Sequence, residues 1–200
     1  MTAQFISKTS LVDKKVSIGT GVRIWHNSQI RENSIIGDNV IVGSGVYIGP
    51  GVHIGKNSKI QNLALIYQPA KIGEGVFIGP GVIFTNDLHP RAVNIDGSQK
   101  NSSDWHEFGV LVFEGASIGA GAICIGPVEI GKWSLIGAGS VVTRNVPDFA
   151  LFVGNPARQI GWVGKSGQKL EKVDDKTFWC STSKTEYKLE GNQLSEKIKR

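Results

Sequence analysis

KIGEGVFIGPGVIFTNDLHP, residues 71–90, contains both the pattern that decides the fold and the point where that pattern breaks. Ile72, Ile78 and Phe84 stand six residues apart, and the next place in the series, residue 90, holds a proline. Counting outward, apolar residues recur at every sixth position from Val12 through Ile18, Ile30, Ile48 and Ile66 to Phe84, and again from Val112 through Ile118, Cys124 and Ile130 to Val142. Neither a helix nor a strand has that period. Four places after each of these comes a small or short-branched residue, such as Val22, Ser28, Val46, Ala64, Val82, Ala116 or Ser140, with Leu88 the departure. Three places after comes, as a rule, Gly or Asn, including Gly21, Asn27, Asn33, Asn39, Gly45, Asn57, Gly81, Gly121, Gly139 and Asn145. These two types best tolerate positive φ, so the chain is asked to turn a corner once per repeat.

A short strand, a corner and an inward aliphatic residue describe one side of a coil. Three sides close a triangular turn, so that residues eighteen apart, such as Ile18, Ile36, Ile54 and Ile72, stack into one continuous core. The expected fold is all-β: a parallel β-helix of about six coils. Twenty-six glycines argue against a helical protein, and 200 residues with 40% apolar composition suffice for one cored domain.

The amino-terminal stretch MTAQFISKTSLVDKK lacks the apolar run of a signal peptide, and no segment reaches membrane-spanning length. A cytoplasmic location is expected. Two cysteines fit a reducing compartment: Cys124 takes an inward ladder place and Cys180 lies in the tail. The net charge of +5 is weighted toward the tail, where Arg158, Lys165, Lys169, Lys172, Lys176, Lys184 and Lys188 follow Val153. No recognition motif or stacking aromatics accompany these charges, so nucleic acid is not expected as a partner, and phosphate-bearing small molecules fit better.

Phe84 and Val112 are twenty-eight residues apart, which is not a multiple of six, so the chain leaves the prism and returns. The excursion, about 88–109, carries with its approach Asn86, Asp87, His89, Arg91, Asn94, Asp96, Asp104, Trp105, His106 and Glu107. A long loop in a compact domain is more often functional than idle. HEFGVL, from His106, reads as a degenerate repeat with Gly109 at its corner. Earlier, WHNSQIRE places His26 and Arg31 at outward or corner sites, where the Arg fork suits a carboxylate or phosphate. NLALIYQPAK, with Leu63 and Pro69 at corners, sets Tyr67 and Gln68 on a distorted coil near the loop. The four His residues (His26, His53, His89, His106) lack the close pair of a metal site, and no metal is expected. Past Gly167, KTFWC and TEYKL alternate around STSK as a β-hairpin, and a helical stub at the extreme end is left open.

The ladder resembles the left-handed β-helix hexapeptide acyltransferases, and IGAGSVVTRNVPDFALFVGNPARQIGWVG, residues 136–164, is similar to the end of the coil and the exit segment in that family's sugar N-acetyltransferases. VRIWHNSQIRENSIIG, GVFIGPGVIFTNDLHPRAVN and SDWHEFGVLVFEGASIGAGAI together look like the branch acting on UDP-2-acetamido-3-amino-2,3-dideoxyglucuronate, on the way to bacterial surface polysaccharides such as O-antigen. The resemblance covers roughly residues 8–165. It implies a left-handed coil, acetyl-CoA as co-substrate, a UDP-amino-sugar acceptor, and a homotrimer with sites at subunit interfaces. A 4-amino sugar acceptor and a non-catalytic β-helical scaffold are the alternatives.

Under that resemblance residues 1–159 form the acyltransferase domain and 160–200 an extension. Asn86 carries over at FTND as the residue beside the amine, while His89 is the natural base by residue type. His26, Arg31, Tyr67, Gln68, Asp87 and Arg91 are the substrate-binding candidates. Coenzyme A is expected along the resumed coils, where Ala120, Ala122, Ala138 and Ser140 leave room for a thin arm and Arg144, Arg158 and Lys165 offer charge to its phosphates.

Overall fold

The computed structural model describes residues 3–197. The helical stub left open at the extreme end falls on residues 198–200, outside the described residues. Among the described residues every regular element is a strand, and no helix is long and apolar enough to cross a membrane.

Strands of two or three residues succeed one another around a triangular coil, each pairing in parallel with the strand one coil away, which is eighteen residues off where no loop intervenes: Lys59 opposite Ile41, Leu65 opposite Tyr47, Lys71 opposite His53. Three sheets result. The first face runs from Phe5–Ile6 to Leu135–Ile136 and Ala150–Gly154, the second from Leu11–Val12 to Val141–Val142, the third from Ser17–Ile18 to Val128–Ile130. Six full turns are complete at Val128–Ile130, and a seventh begins.

The hexapeptide places behave as their chemistry requires. Residues of the six-fold series from Ile24 to Val142 are buried, whereas Val12 and Ile18, on the first coil with no coil beneath, are only partly covered. The small residues four places on are buried too, because they fill the inner corners where no larger side chain fits. Ser28 and Ser34 satisfy their hydroxyls there by donating to the carbonyls of Gly43 (2.7 Å) and Gly49 (2.9 Å). Most corner residues from Gly21 to Gly139 take positive φ, as Asn27 (58°) and Asn57 (62°) do, whereas Pro69 and Pro127, whose rings forbid it, follow cis peptide bonds. Leu63 (62°) and Trp133 (56°) do so without the usual Gly or Asn. Asn145 does not share this backbone; instead its Oδ1 accepts the Glu129 N–H at 2.9 Å.

The ladder breaks slightly earlier than 88. Strand Ile83–Thr85 ends, residues 86–109 leave the coil, and Val110–Val112 resumes it opposite Lys71–Ile72. Gly109 is not a positive-φ corner; it sits against the carbonyl of Pro69, and the resumed strand begins at Val110. At the far end Ala157–Trp162 folds back antiparallel on Ala150–Gly154, running across the expected division at 159. The expected hairpin pairs Thr177–Cys180 with Thr185–Glu190, and Glu171–Lys172 and Gln193–Glu196 enlarge it to four strands. Phe149 meets Tyr187 (5.4 Å between rings) and Trp162 meets Phe178 (6.4 Å), so this sheet shares one core with the coil.

Candidate functional site

The prism has three edges, and the candidate residues sort by edge. Between the second and third faces stand Arg31, then Tyr67 and Gln68, and then the loop with Asn86, Asp87, His89 and Arg91. Gln68 lies one coil beneath Asn86, about 4.8 Å along the axis. Arg144 lies on the same edge, two coils above Asn86. His26, between Arg23–Ile24 and Gln29–Ile30, belongs instead to the edge between the first and second faces. There it sits beside Trp25 (6.2 Å between rings), and the structure does not bring it to the loop.

The loop is a small structure of its own. Its two ends meet where the Phe108 N–H donates to the Asn86 carbonyl at 2.9 Å. Asp87 Oδ1 accepts the His89 N–H at 2.8 Å, closing a turn that is set by the Asp and presents His89 outward. Asp104 accepts from the Asn101 N–H (2.9 Å) and from Asn94 Nδ2 (3.2 Å), and these bonds hold its carboxyl below the usual carboxylate range. Asp96 is likewise lowered by Ser98. Inside lies a cavity of about 270 Å³ lined by Asp87, His89, Lys100, Trp105, His106 and Phe108. His89 and His106, distant in sequence, thus line one cavity. Among the described residues no group of three or more His, Cys, Asp or Glu is arranged to hold a metal.

Asn86 is half-buried at the root of this loop, and its side chain makes no hydrogen bond among the described residues. Arg91 is exposed, donating from Nη1 to the Pro90 carbonyl. Arg31 makes a two-pronged pair with Glu32 (2.8 and 3.0 Å), which raises the Arg31 pKa and lowers that of Glu32. It lines a shallow hollow with Asp13 and Gln29, three coils below Asn86.

The edge between the first and second faces becomes bare in its upper coils. Pro80, Ala120 and Ala138 stack there, with the Gly121 N–H donating to Pro80 (2.8 Å) and the Gly139 N–H to Ala120 (2.8 Å). A Cβ on Gly81, Gly121 or Gly139 would meet nothing within 4 Å, so a strip beside these corners is open. The turn before Arg158 lies above Ala138, since Val153 packs on Gly137, and Arg158 is exposed. A thin chain ending in phosphates fits Ala120, Ala138 and Arg158 together.

The other cofactor candidates need correction. Ser140 and Ala122 are wholly buried because they occupy the inner small-residue place, and Ser140 Oγ accepts the Gly154 N–H at 3.1 Å. Lys165 stands at the third edge, 5.5 Å from the Trp133 ring and paired with Glu196, which raises its pKa. It ties the terminal sheet to the coil, away from the bare strip.

Sequence reasoning passed over Thr85, Lys100 and Phe108, and ranked Glu107 low. Thr85 Oγ1 and Gln68 Oε1 are, among the described residues, the buried side-chain polar atoms without a hydrogen-bond partner, and both lie at the loop root. The eighteen-residue spacing of Gln68 and Asn86 was the available signal.

Models of the bacterial transferase hexapeptide match residues 15–50 and 51–86, and the hexapeptide repeat of succinyl-transferase matches residues 114–144. The chain belongs to the hexapeptide-repeat transferases. Over 88 residues it is 42% identical to the dTDP-3-amino-3,6-dideoxy-alpha-D-galactopyranose 3-N-acetyltransferase of Aneurinibacillus thermoaerophilus, a match spanning 44% of this chain and 45% of that one. The chain thus matches less than half the length of that relative. The PerB structure from Caulobacter crescentus, solved with CoA and GDP-perosamine, superposes with a TM-score of 0.51 at 25% identity over 80% of this chain and 58% of the other. A hexapeptide-repeat acetyltransferase of Vibrio cholerae, solved with acetyl coenzyme A, shares the fold with a TM-score of 0.56 at 23% identity, over 66% and 72% of the two chains.

Proposed function

We propose that this protein transfers the acetyl group of acetyl-CoA to the amine of a nucleotide-linked amino sugar. The observation that carries the reading is the pairing of a bare Ala-Gly strip, ending at Arg158, with a polar loop rooted at Asn86. The 42% identical relative is named a 3-N-acetyltransferase, which supports an amine at carbon 3. The acceptor we favour is a UDP-2-acetamido-3-amino-2,3-dideoxyuronic acid destined for surface polysaccharide, with exposed Arg91 the side chain suited to a sugar carboxylate. A 4-amino or other nucleotide-linked sugar is the second reading, kept because a protein of this fold is solved with GDP-perosamine.

The chemistry asks for little. The unprotonated amine adds to the thioester carbonyl, the carbonyl oxygen takes up negative charge, and the carbon–sulfur bond breaks as the amine proton leaves. Asn86 orients the amine, and His89 takes the proton. Tyr67, Asp87 and Arg91 bound the acceptor; Ala120, Ala138 and Arg158 hold the coenzyme, with Arg144 above the loop.

Strip and loop lie on different edges, separated by the second face. The exterior of that face, Leu11, Gln29, Tyr47, Leu65, Ile83, Ile123 and Val141, carries no charge, unlike the first (Phe5, Arg23, Ile41, Lys59, Phe77, Ser117, Leu135, Leu151) and the third (Ser17, Ile35, His53, Lys71, Leu111, Glu129). A convex face of this kind becomes one wall of a groove when a second copy covers it. We therefore propose a site between subunits, and the resemblance to the trimeric hexapeptide acyltransferases extends the proposal to a cytoplasmic homotrimer. Incubation with acetyl-CoA and a panel of nucleotide amino sugars, with thiol release followed, tests the reading. Release dependent on a 3-amino uronic acid supports it, and no release with any amino sugar refutes it.

A further inference from the structure

Gln68 lacks a bond that two of its counterparts in the coil make. At the place two residues after the inward aliphatic, a side-chain oxygen on one coil can accept the N–H of the equivalent residue on the coil below. Asp38 accepts from Thr20 (2.7 Å) and Asn62 from Ser44 (2.9 Å). Gln68 holds its Oε1 over the same spot, where a Cβ on Gly49 would lie 2.5 Å from it, as one on Gly43 would lie 2.4 Å from Asn62 Oδ1. The residue waiting below, however, is Pro50, which has no N–H. The oxygen is therefore buried without a partner. Turning the amide over gives no relief, because the other end faces the Glu107 carboxylate, an acceptor only, which takes the Nε2 hydrogen at 2.9 Å.

That bond has a particular place. Among the described residues it is the one side-chain hydrogen bond joining loop 86–109 to the coils; the loop's other side-chain bonds are internal. Glu107 directly precedes Phe108, whose N–H is bound to the Asn86 carbonyl. An amide that gives up the ladder bond and leaves an oxygen orphaned is poorly explained by fold stability. A group that fixes the returning leg of the loop against Asn86 explains it.

We propose that Gln68 and Glu107 form a strap that sets the position of Asn86, making both of them positioning residues rather than substrate contacts. This rests on the function proposed above, and the strap itself can be read without any substrate. Hydrogen–deuterium exchange of the native protein is compared with Gln68→Met, Glu107→Ala and Glu107→Gln, alongside steady-state kinetics. Gln68→Met and Glu107→Ala are expected to speed exchange across 86–109 and to lower kcat at least tenfold, with KM for acetyl-CoA unchanged and the melting temperature of Gln68→Met not reduced. Glu107→Gln keeps an acceptor for Nε2 and is expected to restore both exchange and kcat to within about threefold of native.

Unchanged loop exchange in Glu107→Ala overturns the strap, and because Glu107 is exposed this variant does not depend on core folding. Glu107→Gln behaving like Glu107→Ala also overturns it, since the charge and not the bond would then matter. Faster exchange in a protein that acetylates no amino sugar would sink the proposed function and leave the strap standing; native activity with unchanged exchange does the reverse.

Discussion

Asn86 and Ala120 stand on different edges of the prism. Ala120 lies over Pro80, and between Pro80 and Asn86 runs the whole of strand Ile83–Thr85. Six residues of extended chain reach at most about 20 Å, so the loop root and the strip are separated by the width of a face that curves toward neither. Chemistry that uses both needs a second chain, or a ligand lying across an apolar surface open to water.

If Asn86 orients the amine and His89 removes its proton, Asn86→Ala and His89→Ala will each lower kcat, by roughly a hundredfold or more for loss of a preorganised polar group or a general base. KM for acetyl-CoA will stay within about twofold. Steady-state kinetics with each substrate varied in turn checks this, and native turnover in both variants moves the chemistry off the loop.

Arg158 and Lys165 separate by the same reasoning. Arg158→Ala removes an exposed charge beside the strip and should weaken acetyl-CoA by about tenfold, the worth of one charge-assisted hydrogen bond. Lys165→Met should leave acetyl-CoA affinity alone and instead loosen the terminal sheet, because Lys165 is spent on Glu196 and Trp133. Calorimetric titration of the two variants distinguishes them.

The coil was legible because its determinants are local and repeated: an inward aliphatic every sixth residue and a corner three places on leave few alternatives. The places where the reading slipped are those where a residue serves a second master. Asn145 looks like a corner, but its side chain is used by Glu129 N–H. Ser140 is expected to leave room for the coenzyme arm, yet its place four residues after Ile136 marks the buried inner corner. Lys165 follows the exit segment closely in sequence, yet the antiparallel return carries it to the third edge. Which edge a residue occupies follows from counting in eighteens, and His26 could have been set apart that way. The Gln68–Glu107 bond spans thirty-nine residues of irregular loop, and no periodicity announces it.

Ile54 is wholly buried in the stacked column, and Ile35 stands outside the same face at 47% exposure. Ile54→Ala should cost about 2–5 kcal/mol and Ile35→Ala under about 0.5 kcal/mol. Urea denaturation gives both, and equal costs would contradict the assignment of inward and outward places.

Burial pushes the Cys124 thiol up from 9.0 to about 12. Its folded pKa exceeds its unfolded one, so its contribution to stability is complete below pH 9 and is lost as pH rises toward 12, where the unfolded chain ionises first. Native protein will lose stability between pH 8 and pH 10.5 more steeply than Cys124→Val does. Parallel urea midpoints at the two pH values measure the difference, and identical slopes would place the thiol in water.

Subunit mixing tests the central claim most directly. Asn86→Ala and Arg158→Ala chains, each feeble at low acetyl-CoA, are dissociated together and reassembled. A site built from the loop of one chain and the strip of another predicts that an equal mixture regains about a quarter of native thiol release, the share of interfaces that receive both intact halves. A mixture no more active than the sum of its parents would mean that each chain carries a whole site, and would contradict the account.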